Sequence, residues 1–202
     1  MPFLKINLKK ISPTSIKFIA GALKEGQVLV LPTETIYGLS CLANNAKAIS
    51  RIKKLKGNDK NKPLSILISD LAMLKKYVYL SADQERKIKK IWGPNQRPTT
   101  VILKHRHKLP PILTGKSDGL AARLPKFNFL IKILAAVNCP LVSTSLNLTG
   151  EAAVNNPKKL NNYFPARFGK LDLVIDAGIC RRQRTSKILD LRADSKLIIL
   201  RK

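Results

Sequence analysis

Apolar and polar positions along this chain change period several times, and each change marks an element. Residues 27–31 (QVLVL) are almost continuously apolar, as in a strand buried on both faces. Residues 64–68, 99–104, 119–124 and 140–144 read as further strands, and 171–175, 187–191 and 196–200 as late ones. A short strand is expected at 6–8. Between them the period lengthens to that of a helix. Ser12 and Pro13 supply an N-cap and a first-turn proline, and Gly26 supplies a stop. Over 45–56, Ile49, Ile52 and Leu55 fall on one face, and Gly57 ends the run. Ser69-Asp70 opens another helix. Ser81 and Gln84 form a capping box ahead of Ile88, Ile91 and Trp92. Residues 127–137 read as a helix between two strands, and 157–164 as a short one. The late strands follow one another without crossover helices. The expectation is an α/β chain, one domain over 1–202, built on a mixed sheet flanked by helices.

Composition narrows the class. The chain has 202 residues and 45% apolar content, which suits a globular domain rather than a disordered one. The longest apolar stretch, 127–137, is broken by Asn128 and Lys132 and is far short of the roughly 20 residues of a membrane span. The N-terminus has lysines but no apolar core of a signal peptide. Cys41, Cys139 and Cys180 are odd in number and widely spaced, which argues against a disulfide framework or a structural zinc site and for a reducing, cytoplasmic setting.

Lys+Arg outnumber Asp+Glu 38 to 12, a formal charge of +26. Nucleotides and RNA would be drawn to any concave basic surface. The same excess also fits a lysine-rich composition spread over solvated helix faces. Interleaved aromatics of the kind that stack single-stranded bases are absent, aromatics being 5% of the chain. With so few acids, the expected chemistry works by positioning and by stabilising negative charge, without a side-chain base. Walker-type, dinucleotide-binding and nucleophile-elbow motifs are missing. His105 and His107, set among cations, read as a solvated strand end; no metal site is expected.

Three segments carry candidate chemistry. Residues 31–39 (LPTETIYGL) put two hydroxyls, a carboxylate, a phenol and a glycine directly after a strand, which suits small-ligand recognition or a capped turn. Residues 53–64 (KKLKGNDKNKPL) set lysines around a glycine, a loop able to wrap a polyphosphate or simply be solvated. Residues 140–150 (PLVSTSLNLTG) run a strand into hydroxyls and an amide that bind phosphate, sugar or base edges without titrating.

Together these segments resemble the YrdC-like family, the threonylcarbamoyl-AMP synthases of tRNA modification. PTETxYGL, the KGxxKNKPLS loop, Leu113-Thr114-Gly115 with Ala122-Arg123-Leu124-Pro125, PLVSTSxNLTG and Ser186-x-Ile-x-Asp190 occur in the family order over nearly the whole chain. The resemblance implies a twisted α/β sheet with a basic concave cavity. It implies synthesis of L-threonylcarbamoyl-AMP and pyrophosphate from L-threonine, bicarbonate or CO₂, and ATP, with Mg²⁺ on the phosphates. A partner complex would transfer the group to tRNA as threonylcarbamoyladenosine (t6A). Carried over by motif, Thr35, Arg123, Ser143 and Ser186 bind threonine, with Arg123 on its carboxylate. Lys56, Lys62, Thr114, Ser145, Asn147 and Arg201 bind ATP, and Lys56, Ser145 and Asn147 are catalytic. Two departures stand out. The basic loop has Asn58 where the family has arginine, and the usual W-P-G-P stretch is Trp92-Gly93-Pro94-Asn95. An amide does not replace a guanidinium on phosphate, so an alternative reading is a YrdC-like protein that binds tRNA or double-stranded RNA without synthase activity.

Overall fold

The computed structural model describes residues 2–57, 61–160, 171–180, 185–193 and 197–201. Ten strands form one mixed sheet: β1 (Phe3–Lys5), β2 (Leu29–Leu31), β3 (Gly38–Leu42), β4 (Ile66–Leu67), β5 (Thr99–Lys104), β6 (Gly119–Arg123), β7 (Leu141–Ser145), β8 (Leu173–Asp176), β9 (Lys187–Asp190) and β10 (Ile198–Arg201). Their order is β1-β8-β2-β3-β7-β4-β6-β5-β9-β10. Among the described residues six helices pack on it: α1 (Pro13–Lys24), α2 (Ala46–Leu55), α3 (Leu71–Tyr77), α4 (Ala82–Ile91), α5 (Pro111–Thr114) and α6 (Asn128–Val137). Among the described residues no helix is long and apolar enough to cross a membrane.

The helix starts follow the capping chemistry expected of them. The Ser12 hydroxyl accepts from Ser15 N, Asn45 caps α2, Asp70 caps α3, and Ser81 with Gln84 closes a reciprocal box on α4. The sheet separates two apolar layers. Along β2, Leu29 and Leu31 enter the core with α1 and α6, while Val28 and Val30 enter the core with α2, α3 and α4. All four are fully buried, as the unbroken apolar run predicts.

Several elements differ from the sequence expectation. The first strand lies at Phe3–Lys5, not at 6–8. The Asn7 side chain accepts from Lys9 N at 2.9 Å and its carbonyl accepts from Lys10 N, so an Asx turn overrides the alternating pattern there. Strand β3 is additional. Its sequence, GLSCL, carries few strand formers, and it exists because β2 and β7 pair with its two edges. Helix α5 is additional too. Of the short helix expected at 157–164, a 3₁₀ turn is described at Pro157–Lys159, and 161–164 lie outside the described residues.

Candidate functional site

On β7, Leu141 packs under α1 and α6, whereas Ser143 and Ser145, on the same face by the two-residue period, line a cavity. Here the sheet face lines a cavity instead of packing into the core, so hydroxyls are tolerated where the core would demand methyl groups. Ala121 and Arg123 of β6, Thr100 and Ile102 of β5 and Ile188 of β9 continue the cavity wall. Its volume is about 390 Å³, room for a nucleotide-sized ligand in part. Four cations line it, Lys56, Lys62, Arg123 and Arg201, and no carboxylate does so among the described residues.

The turn after β2 is built by hydroxyl exchange. Thr33 Oγ1 donates to Ile36 O at 2.6 Å and accepts from Thr35 N at 3.0 Å. Tyr37 is buried; its hydroxyl donates to Gly178 O at 2.8 Å and accepts from Ala177 N at 3.0 Å, and burial pushes it up to about 12, so it stays a phenol. Cys180 Sγ donates to Thr35 O at 3.1 Å. The turn is thereby tied to the loop after β8. Gly38 opens β3 where a Cβ would lie 3.1 Å from both Ser143 Oγ and Thr144 O, so glycine lets β3 and β7 approach at the cavity wall.

Arg123 pairs with Glu34, their side chains only 7% and 8% exposed. Burial, then the charge of Arg201, lowers Arg123 to about 10, so it remains a cation at neutral pH. Arg201 donates through Nε to Ser186 O at 2.8 Å and through Nη2 to Ser186 Oγ at 3.1 Å; that hydroxyl shares a hydrogen bond of 2.9 Å with Thr100 Oγ1. A β-bulge sets this arginine. Ile199 pairs with Leu189, and Arg201, not Leu200, pairs with Ile188. Were Leu200 paired with Ile188 in a regular register, Arg201 would fall opposite Lys187 and share the face of Ile199, away from the cavity.

Lys56, just past α2, donates to Ser145 O at 2.8 Å and to Asn147 O and Oδ1 at 2.9 Å each. All three ammonium hydrogens are so engaged. Burial, then the charge of Lys62, pulls this lysine down to about 8. Ser145 Oγ donates to Asn147 Oδ1 at 2.5 Å, and Thr149 N and Oγ1 both donate to Lys56 O. The segment 145–149 is therefore a loop clamped on one lysine.

Nine of the ten residues singled out in the sequence line this one cavity: Thr35, Lys56, Lys62, Arg123, Ser143, Ser145, Asn147, Ser186 and Arg201. Thr114 is buried in α5 and is not in the lining. Its neighbour Gly115, at φ +60°, lies where a Cβ would be 2.2 Å from Asn61 O, so this stretch is the footing of the lysine loop. Asn58 lies outside the described residues. His105 Nε2 lies 3.1 Å from Ser117 O and its Nδ1 accepts from His107 N, away from the cavity. Among the described residues no three His, Cys, Asp or Glu side chains are placed to share a metal. Thr100 lines the cavity and had no signal in the sequence, since only the strand register brings it to Ser186; Glu34, the carboxylate noted in 31–39 without a role, lies behind the cavity against Arg123.

Comparison with known proteins gives a consistent set. The family model Sua5_yciO_yrdC, described as "Telomere recombination", matches residues 21–202. The threonylcarbamoyl-AMP synthase of Stutzerimonas stutzeri is 33% identical over 179 residues, 88% of this chain and 93% of the relative. That of Pyrococcus abyssi is 28% identical over 92% of this chain, which spans only 54% of the relative's length. The structure of P. abyssi Sua5 complexed with L-threonine superposes on all of this chain and 57% of that one, with TM-score 0.87 and 26% identity. E. coli YciO matches in fold at TM-score 0.85, 24% identity, over all of this chain and 96% of that one.

Proposed function

The chain belongs to the Sua5/YciO/YrdC family, and from that premise we propose that it is a threonylcarbamoyl-AMP synthase, a nucleotidyltransferase joining L-threonine, bicarbonate or CO₂, and ATP, with 1–202 acting as one domain. The observation that carries the reading is the cavity itself: four cations and a set of non-titrating hydroxyls and amides on one sheet face. The relatives named threonylcarbamoyl-AMP synthase and the threonine-bound P. abyssi structure support it.

The lining divides by chemistry. Arg123 takes the carboxylate of threonine as a charge-assisted pair, with Thr35, Ser143 and Ser186 around the rest. Lys56, Lys62 and Arg201 face the phosphates, and Ser145 and Asn147 orient the nucleotide. Threonine's amine, having given up its ammonium proton to solvent water, bonds to the carbon of CO₂ and releases a second proton to water, giving a carbamate. A carbamate oxygen then attacks the α-phosphorus of ATP, the bond to the β-phosphate oxygen breaks, and pyrophosphate leaves. Cations fixed around the phosphorus stabilise the charge spread over its oxygens. Mg²⁺ would come on the phosphates of ATP and supply charge neutralisation there; the described lining residues include no carboxylate, so phosphate oxygens and water would hold it. The product would pass to a t6A transferase complex and tRNA, and the proposed setting is the cytoplasm.

Because Lys56 is already bound to Ser145 and Asn147, a phosphate reaching it must share or displace those acceptors. Lys56, Ser145 and Asn147 therefore act as one unit in catalysis. The decisive experiment is pyrophosphate release by the purified protein with and without L-threonine and bicarbonate. Release that needs both supports the synthase. Binding of RNA with no release, and no binding of ATP or threonine, would replace it with the RNA-binding alternative, and Asn58→Arg would then test whether the missing guanidinium is the cause.

A further inference from the structure

The buried ion pair beside the cavity has the charges of an α-amino acid in reverse. We propose that Arg123 and Glu34 together form the receptor for the amino acid's zwitterion: Arg123 takes its carboxylate and Glu34 its ammonium. The inference rests on the threonine reading above and adds Glu34 to it as a specificity-determining residue.

Three observations carry it. The first is the one-sidedness of the pair. Glu34 Oε1 meets Arg123 Nη1, but Glu34 Oε2 is buried without a hydrogen-bond partner. A buried carboxylate oxygen left without a donor is costly, and a buried pair is poor evidence of stability in itself. An ammonium supplies the missing donor and the missing charge.

The second is the direction of the Thr35 hydroxyl. Thr33 has one hydroxyl hydrogen, and it goes to Ile36 O. In the 2.9 Å bond between Thr33 Oγ1 and Thr35 Oγ1, Thr35 must then be the donor. Thr35 Oγ1 therefore presents only lone pairs to the cavity it lines. A ligand here must bring hydrogens to Thr35 and Glu34 and an anion to Arg123. A β-hydroxy-α-amino acid carries that set on adjacent carbons.

The third is the sign of the surroundings. The four charged side chains that line the cavity are all cations. Lysines and arginines alone would favour any small anion equally. Glu34 is the group that separates an amino acid from a hydroxy acid. It does not line the cavity, since it lies against Arg123. A ligand carboxylate on Arg123 frees it to meet the ammonium one carbon away, and the pair exchanges one salt bridge for two.

The test is calorimetric titration of L-threonine, (R)-3-hydroxybutanoate and L-threoninamide into the wild-type protein and Glu34→Gln, with ATP titrated as a control for folding. The hydroxybutanoate keeps the carboxylate and hydroxyl but lacks the ammonium; the amide keeps the ammonium. Wild type should prefer L-threonine to either analogue by roughly tenfold or more. Glu34→Gln should lose roughly tenfold for L-threonine, while hydroxybutanoate binds as well as before or better, because the carboxylate competing for Arg123 is gone. Equal losses for both ligands would make Glu34 a mere prop for Arg123 and overturn the proposal, as would no loss for either. If Glu34→Gln no longer binds ATP, the wild-type ratio decides: equal affinity for L-threonine and hydroxybutanoate overturns it. Wild type that binds ATP but not L-threonine overturns the threonine reading itself, an outcome distinct from any failure of Glu34.

Discussion

Lys56 spends its three hydrogens on the segment that follows β7, so its removal has two separate effects. Lys56→Ala is expected to abolish pyrophosphate release, and also to lower stability by about 2 kcal/mol, since it removes three charge-assisted hydrogen bonds, although Ser145 O keeps Asn147 N and Asn147 Oδ1 keeps Ser145 Oγ as donors; denaturant titration beside the activity assay separates the two. Its depressed pKa gives the sign of a pH effect. The lysine is a cation below about 8 and loses that charge as the pH rises through it. ATP affinity should therefore fall between pH 7 and 9 in the wild type, with no matching fall in Lys56→Ala. Gly38→Ala tests the tight wall. Ser143 Oγ can turn away from a new methyl, but Thr144 O is held in the sheet, so threonine binding should weaken severalfold, roughly 1 kcal/mol, with ATP binding little changed. At this scale the sequence was informative where residue type is itself the chemistry. Seven of the nine lining positions are hydroxyls, an amide and lysines, and it is the resemblance to the YrdC-like family, by motif, that picks out these and the two arginines. Glu34 was noted as a carboxylate in 31–39 but given no role, because the scarcity of acids argued against a working one. Thr114, expected beside the nucleotide, is buried in α5 behind the lysine loop.

Among the elements, β10 shows how one inserted residue changes a face. Arg201 reaches the cavity because Leu200 is left out of the pairing. Deleting Leu200 keeps arginine opposite Ile188, and Leu200 is 56% exposed, so little apolar burial is lost. ATP affinity should stay within about twofold of wild type in that deletion, whereas Arg201→Ala should weaken it by roughly tenfold, the cost of a charged phosphate contact. A deletion as damaging as Arg201→Ala would show that the bulge has another purpose. Helices were legible because caps and period agree: Ser12, Asn45, Asp70 and Ser81 all cap where the pattern starts. Strands were legible when apolar runs made them so. GLSCL was not, because β3 is a strand by virtue of its neighbours, and the strand expected at 6–8 yielded to a local Asn turn.

The whole molecule carries a formal charge of +26, and its consequences should divide by ligand. Raising salt from about 50 to 500 mM shortens the Debye length roughly threefold, so ATP binding should weaken markedly, while L-threonine, neutral as a zwitterion, should bind nearly unchanged. Parallel titrations of both ligands check this; an equal salt dependence would mean that the field of the protein does not separate them. The strand order has a different kind of consequence. Strand β8 lies between β1 and β2, and β7 lies between β3 and β4. During synthesis the amino-terminal strands emerge with two open slots in the sheet, and the residues that fill them, 141–145 and 173–176, come from the last third of the chain. The growing chain therefore carries an incomplete sheet whose apolar edges wait for partners not yet made, and folding is set by closure of these long loops rather than by the early helices.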